Sequence, residues 1–428
     1  MKRAIIFVNV LMYSLAFISG ALAQEIKIGT LLAYTGPLKE WGPHIQNGAV
    51  LAAKQLDAAG SKFTLIHEDS KTSTVLATKA AKKLVEVDKV IAIIGALASS
   101  STQSVAEYVT CPNNVILISP ASTSPLLTIL PADHGKDFLF RTCPSDVLQG
   151  IIAGKLAADF NKTASVLYVN NPYGQGLVVQ FKKSFEKRRG KVLAMVPHGE
   201  KAAESYKHEL DRALSGNPDI LCAFSYPEHA KVYLKEAIEI FQRRDFLFCD
   251  GTKSEDIVKA LGADNVEGQM GTAPGSAEGK AYMIFRAAYE KEFGRLPPLP
   301  FITNAYDGMA VIGLAVYAVK VKGLELTSKN VRDKLRDVAN PPGEIIRPGE
   351  FKKAFDLLHL GKEINYEGAA GSVDFDKHGD VVTPIEVWKY SKGNIVTVKI
   401  EHEIPVEEDI TRQRPGMKIN TLKRRALP

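Results

Sequence analysis

From Ile26 onward, short β-branched apolar runs alternate with amphipathic segments of about a dozen residues or more. This rhythm restricts the chain to parallel α/β architecture, because a strand buried on both faces reaches its parallel neighbour only through a crossover, usually helical. Strands are expected at 26–32, 63–67, 90–94 and 115–118, with helices near 45–57, 75–86 and 102–109; four such units make one sheet. After Phe138 to Arg141 the rhythm restarts. A helix near 147–160 precedes strands at 165–169, 192–196, 220–224 and 246–248, separated by helices near 176–188, 205–214 and 228–241. Two similar α/β halves also suit a chain of 428 residues, too long for one ordinary core. Further on, helices are expected at 282–293 and 305–321, the latter carrying Asp307 and too short in its uninterrupted apolarity to span a bilayer. Pro341–Pro342 breaks the chain, 351–360 is a last helix, and 381–390 with 395–400 around Lys392-Gly393 reads as a terminal hairpin.

The two ends differ from this body. Lys2 and Arg3 precede an apolar run from Ala4 to Ile18, and Ala21-Leu22-Ala23 supplies the small residues of a cleavage site, so residues 1–23 read as a signal peptide. No cysteine lies near the cut, and a soluble periplasmic protein is expected. The formal charge is +6, but Lys2 and Arg3 leave with the leader and residues 411–428 hold six basic side chains and no acid, so the body carries −2. The basic excess is a tail, 404–428, and not a folded basic face with interleaved aromatics, which excludes a nucleic-acid-binding body. Cys111, Cys143, Cys222 and Cys249 allow three disulfide pairings in an oxidising compartment, or remain buried thiols. Cys222 and Cys249 each end a strand-like run and could meet at one sheet edge.

In open α/β sheets ligands sit beyond the carboxyl ends of the strands, so the residues after each strand carry the functional expectation. The stretch from Val90 to Gln103 is the strongest case. A buried strand stops at Gly95 and meets Ser99-Ser100-Ser101-Thr102 at a helix start, where free backbone amides and hydroxyls suit a carboxylate, though Ser99 or Ser100 could instead cap the helix. The other post-strand segments are 33–41, 119–124, 170–173, 225–226 and 250–251. They bring together aromatic rings, small hydroxyl residues and the acid Asp250, a mixture suited to a small zwitterion. Nucleophile-elbow, phosphate-loop and zinc-protease motifs are absent, no metal-ligand spacing occurs, and none of the nine histidines falls in a post-strand loop beside a serine and an acid. Tyr173-Gly174 reads as a turn. Binding without catalysis, and without cofactor or metal, is the expectation.

Over 25–400 the chain resembles the periplasmic solute-binding proteins of branched-chain amino acid (Leu/Ile/Val) ABC transporters. The resemblance rests on Gly36-Pro37, Trp41-Gly42, Asn47-Gly48-Ala49, Ser99 to Gln103, Ser119-Pro120-Ala121-Ser122-Thr123, Tyr173-Gly174 with Gly176-Leu177, Tyr226-Pro227-Glu228, Asp250-Gly251 and Asn304-Ala305-Tyr306-Asp307. It implies the type I periplasmic binding protein fold, α/β, with two Rossmann-like lobes joined by three hinge crossovers near 141–145, 271–275 and 371–380. The lobes would comprise 24–142 plus 274–372, and 143–273 plus 373–403. By the same resemblance Ser99, Ala121 and Thr123 would hold the solute's carboxylate and ammonium, Trp41 would flank its side chain, Tyr173 and Tyr226 would close over it, and Asp250 would take the place of the family's ammonium-binding glutamate. The shorter aspartate, and Ala98 where the family has a disulfide cysteine, are departures. The implied function is a monomeric, exported, non-enzymatic receptor for a small amino acid, aliphatic or branched-chain, serving an ABC permease. The rivals are a receptor for an aromatic or other amine-free carboxylate or amide, and a sensory ligand-binding module.

Overall fold

The computed structural model describes residues 25–275 and 278–402, so the expected leader and the basic tail lie outside the described residues. Two sheets organise the chain. In the first, β1 (Ile26–Leu32), β2 (Phe63–Asp69), β3 (Ala92–Gly95), β4 (Ile116–Ser119) and β5 (Leu139–Arg141) stand in the order β2-β1-β3-β4-β5, all parallel. β3 and β4 are buried at every residue, as central strands covered by helices on both faces must be. Five strands replace the expected four: the short segment ending in Arg141 pairs with β4.

The second sheet holds β6 (Thr163–Val169), β7 (Lys191–His198), β8 (Ile220–Phe224), β9 (Phe246–Phe248), β10 (Met270–Pro274), β13 (Ile385–Ser391) and β14 (Asn394–Glu401). Its order is β14-β13-β10-β9-β8-β6-β7, with β13 antiparallel to both neighbours. A small two-stranded ladder joins β11 (Glu344–Ile346) to β12 (Ile364–Tyr366). The chain therefore enters the second sheet after β5, leaves it after β10 and returns as β13. The stretch 271–275, expected as a crossover, is mostly strand β10 itself.

Between these passages the Ile302–Val321 helix packs against the Gly42–Ala58 and Ser328–Ala339 helices beside the first sheet. It is long and apolar enough to cross a membrane, contrary to the expectation that it is too short, but 94% of its apolar window is buried, the position of a core helix. Asp307 within it is also buried, and accepts Tyr366 Oη at 2.9 Å, Ala369 N at 2.7 Å and Ala370 N at 2.8 Å. On the second sheet, the Asp146–Phe160 and Pro172–Lys187 helices pack closely because Gly150 and Gly154 face Gln180 and Ser184: a Cβ on either would come within 2.5 Å of those side chains.

Several local expectations change. Gly174 is not in a turn but inside the Pro172–Lys187 helix, which Asn171 caps through Gly174 N. The helices Glu255–Leu261 and Ser328–Ala339, each started by a side-chain cap, were not among the expected elements, although Val331, Leu335, Val338 and Ala339 fall on one face of the second at helical spacing. All four cysteines are free and buried, and Cys222 sits in the interior strand β8, not at a sheet edge.

Candidate functional site

The carboxyl ends of β1, β3 and β4 face those of β6, β8 and β9 across a closed cleft. Leu38, Trp41, Leu97, Ser99, Ala121, Tyr173, Tyr226, Asp250 and Gly251 line a cavity whose free space, about 10 Å³, is that of one water molecule. Six of the seven expected site residues are thus brought together. Leu38, Leu97 and Gly251 lie in the post-strand segments of the sequence reading but were not singled out as site residues, since an apolar or glycine residue in a loop carries no chemical signal of its own.

The first wall is built around the end of β3. Gly95 has φ +147°, and a Cβ there would stand 2.3 Å from Leu31 O, so the chain turns away from β1 at a residue without a side chain. Ala98 precedes the Ser99–Val105 helix, whose start has no side-chain cap, so the serines are not the expected capping residues. Ser99 Oγ instead accepts Ser124 N at 3.3 Å. The loop after β4 is pinned from beneath: Ser119 Oγ donates to Ala96 O at 2.7 Å, and Thr102 Oγ1 and Ser122 Oγ lie 2.7 Å apart. Arg141 Nη1 donates to Ser122 O and Ser124 O at 3.3 and 2.9 Å, while its Nε and Nη2 grip Asp380 at 2.6 and 2.7 Å. One buried guanidinium therefore fixes the loop that carries Ala121 and Thr123. Thr123 departs from the expectation, since its hydroxyl points to Asp146 Oδ2 at 2.9 Å and its residue does not line the cavity.

The opposite wall is aromatic and acidic. Tyr173 and Tyr226 stack with centroids 5.6 Å apart and planes 9° apart. Tyr173 Oη donates to Asp250 Oδ1 at 2.6 Å, and Gln149 Nε2 donates to the same oxygen at 2.8 Å. Asp250 is 2% exposed; burial raises its pKa, while the Tyr173 and Gln149 bonds pull the other way. Gly251 must lack a Cβ, which would lie 2.1 Å from Ser225 O and 2.7 Å from Tyr173 Oη. Trp41 closes the far side, its ring 5.8 Å from that of Phe301.

Behind Tyr226 lies a polar cluster that the sequence gave no means of assembling. His198, the last residue of β7, meets Ser225 Oγ through Nε2 at 2.7 Å, and its Nδ1 is 3.1 Å from His229 Nδ1. A histidine and a serine thus pair, but the histidine lies within strand β7, no acid joins them, and both are buried away from the cleft. Burial lowers the pKa of His198 to about 4 and that of His229 to about 3, holding both neutral.

The two walls also touch outside the cavity. Glu40 accepts Glu255 N at 3.1 Å and the Ser254 hydroxyl, so a carboxylate of the first wall sits on the start of the Glu255–Leu261 helix in the second. Ser100 Oγ donates to Glu200 Oε1 at 2.7 Å, and Ser124 Oγ to Pro172 O at 2.7 Å. Among the described residues no group of three or more metal-ligating side chains occurs.

The profile of the periplasmic binding protein family matches residues 25–352. The chain is similar to the chemotactic signal transduction system substrate-binding protein BasB of Halobacterium salinarum, at 25% identity over 87% of this chain and 89% of that one. It is likewise similar to the leucine-, isoleucine-, valine-, threonine- and alanine-binding protein of Pseudomonas aeruginosa, at 26% identity over 84% of this chain and 88% of that one. Among solved structures, an ABC-transporter solute-binding protein of R. palustris in complex with benzoate superposes with a TM-score of 0.72, at 16% identity, covering 91% of this chain and all of that one. With the family match running through the first sheet and through β6 to β10 of the second, and the cleft lying between their facing strand ends, the chain belongs to the periplasmic binding protein family and has its type I fold of two Rossmann-like lobes.

Proposed function

We propose that this protein is an exported receptor that takes a small aliphatic or branched-chain amino acid into the cleft and delivers it to an ABC permease. The lobes 24–142 plus 274–372 and 143–273 plus 373–403 would close about the crossovers, and no covalent chemistry is involved. The observation that carries the reading is Asp250, a buried carboxylate on the cavity wall facing Ser99 and Ala121 across it. Asp250 takes the ammonium, Ser99 and the backbone around Ala121 take the carboxylate, and Trp41, Tyr173 and Tyr226 enclose the side chain, while Thr123 stands outside the cavity. The amino acids named for the Pseudomonas relative support this choice. Bonds made inside a closed, dry cleft contribute more than the same bonds in water.

A second reading, an aromatic carboxylate without an amine, is favoured by the three aromatic walls and by the benzoate bound in the R. palustris structure. Calorimetric titration of unfolded and refolded protein with amino acids, amides and aromatic acids separates the two. Tight binding of leucine, isoleucine or valine upholds the first, and binding of amine-free acids alone replaces it with the second. Delivery is tested by uptake of the identified solute in cells with and without the gene; normal uptake with lost chemotaxis would make the protein a sensory module, the role named for BasB.

A further inference from the structure

A second buried acid stands behind Asp250. Asp146, the first residue of the Asp146–Phe160 helix, is fully buried. Its Oδ2 takes the Thr123 hydroxyl, but its Oδ1 has no hydrogen-bond partner among the described residues. Three residues on, Gln149 spends its amide N–H groups on Asp250 Oδ1 and Thr272 O, at 2.8 and 3.2 Å, and its Oε1 is also without a partner. Residues three apart share one face of a helix. This face therefore presents two buried acceptors with no donor, one on a side chain bonded to Thr123 of the loop after β4 and the other on a side chain bonded to Asp250. Leaving such acceptors unmet costs free energy, most of all for a charged one, and a proton on Asp146 Oδ1 turns that oxygen from an unmet charged acceptor into part of a neutral carboxyl.

We propose that Asp146 and Asp250 hold one proton between them in the unliganded receptor and release it to solvent when a ligand ammonium binds, so that the pair selects for the amine. The inference rests on the reading of Asp250 as the ammonium partner and extends it to a group outside the cavity. The electrostatic surroundings agree. Burial first, and then the Asp250 charge, hold the Asp146 carboxyl well above the usual carboxylate range. Arg141, at the end of β5, opposes this, but its guanidinium is gripped on two sides by Asp380. Cys143, Tyr173, Tyr226 and Cys249, the other titratable groups around the pair, are pushed up by burial and stay neutral. Affinity for an amino acid should therefore rise with pH as the proton leaves. An amine-free acid, whose carboxylate prefers the protonated pair, should instead bind better as pH falls.

The test is calorimetric titration of the full chain, unfolded and refolded, with leucine and with 4-methylpentanoate, its amine-free counterpart, in phosphate and in imidazole. Leucine should release about half to one proton per molecule bound at some pH between about 5 and 8, read from the difference in apparent enthalpy between the buffers, and 4-methylpentanoate should release none. Asp146→Asn should bind leucine without proton release. Because the proton count is made on the unmodified chain, the test stands even if that variant does not fold. Leucine binding with equal enthalpies in both buffers throughout this range overturns the shared proton and leaves the amino acid reading intact. If the branched-chain amino acids do not bind and benzoate does, that reading falls. The pair is then judged alone: benzoate affinity that drops as pH rises upholds it, and pH-independent affinity overturns it.

Discussion

Tyr173 Oη donates to Asp250 Oδ1 across 2.6 Å while the Tyr173 ring lies flat on Tyr226, so the aromatic wall of the cleft and its buried charge form one unit. Cutting back the acid should be felt at once. Asp250→Ala is expected to weaken an amino acid by about 2 kcal/mol or more, some 30-fold, since a hydrogen bond to a charged group contributes about 1.5–3 kcal/mol. Calorimetry on refolded protein measures this, and unchanged affinity would remove Asp250 from the ammonium role.

Glu40 hydrogen-bonds the start of the Glu255–Leu261 helix across the two walls, a contact that an opening of the proposed lobes would break. Burial raises its pKa, while its bonds at the start of the Glu255–Leu261 helix favour the charged form. Glu40→Ala should accelerate ligand release roughly tenfold, matching about 1–2 kcal/mol for a carboxylate at a helix N-terminus. Stopped-flow dissociation is the readout; an unaltered off-rate together with a slower on-rate would contradict a closing contact.

Arg141 and Asp380 are a buried ion pair joining the end of β5 to the last passage of chain into the second sheet. Removing one partner strands the other charge, so Arg141→Ala should cost about 3–5 kcal/mol of stability, read from the urea midpoint. Arg141→Lys should recover only part of it, because a single ammonium cannot make the fork to Asp380 and still reach Ser122 O and Ser124 O. Full recovery by lysine would show that charge alone matters here.

Acid should unfold the chain partly through His198. Its pKa in the folded state, about 4, lies below the value near 6.5 of an unfolded histidine. The unfolded chain therefore takes up the proton first, and stability is lost as pH falls from about 6.5 towards 4, by up to about 3 kcal/mol from this residue. Melting curves of the wild type and His198→Gln over this range should converge as pH drops; parallel curves would mean that His198 has no share in the effect, leaving it to His229 and the carboxylates.

The legibility of the site followed the range of its interactions. Trp41, Ser99, Tyr173, Tyr226 and Asp250 could be named because each follows a strand, and in a parallel sheet strand ends converge. Thr123 was placed on the right loop, yet its hydroxyl turns to Asp146, a partner 23 positions away that no spacing rule selects. Asp146 itself looks in sequence like an ordinary acid in the first turn of a helix. The pairing of His198 with Ser225 and His229 is likewise a product of β7, β8 and the Pro227–Glu239 helix meeting in space.

By itself the sequence determined the parallel α/β class, the restart of the rhythm after Arg141 and the loops that must carry the site, because periodicity and strand ends are local properties of the chain. The tertiary structure alone decided that Leu139–Arg141 is a fifth strand, that β10 lies inside the second sheet, and that Asp146 and Gln149 keep bare acceptors beside Asp250. Those outcomes depend on which distant segments come into contact once water has been excluded, and the energy of a buried polar group is set by such neighbours rather than by its place in the chain.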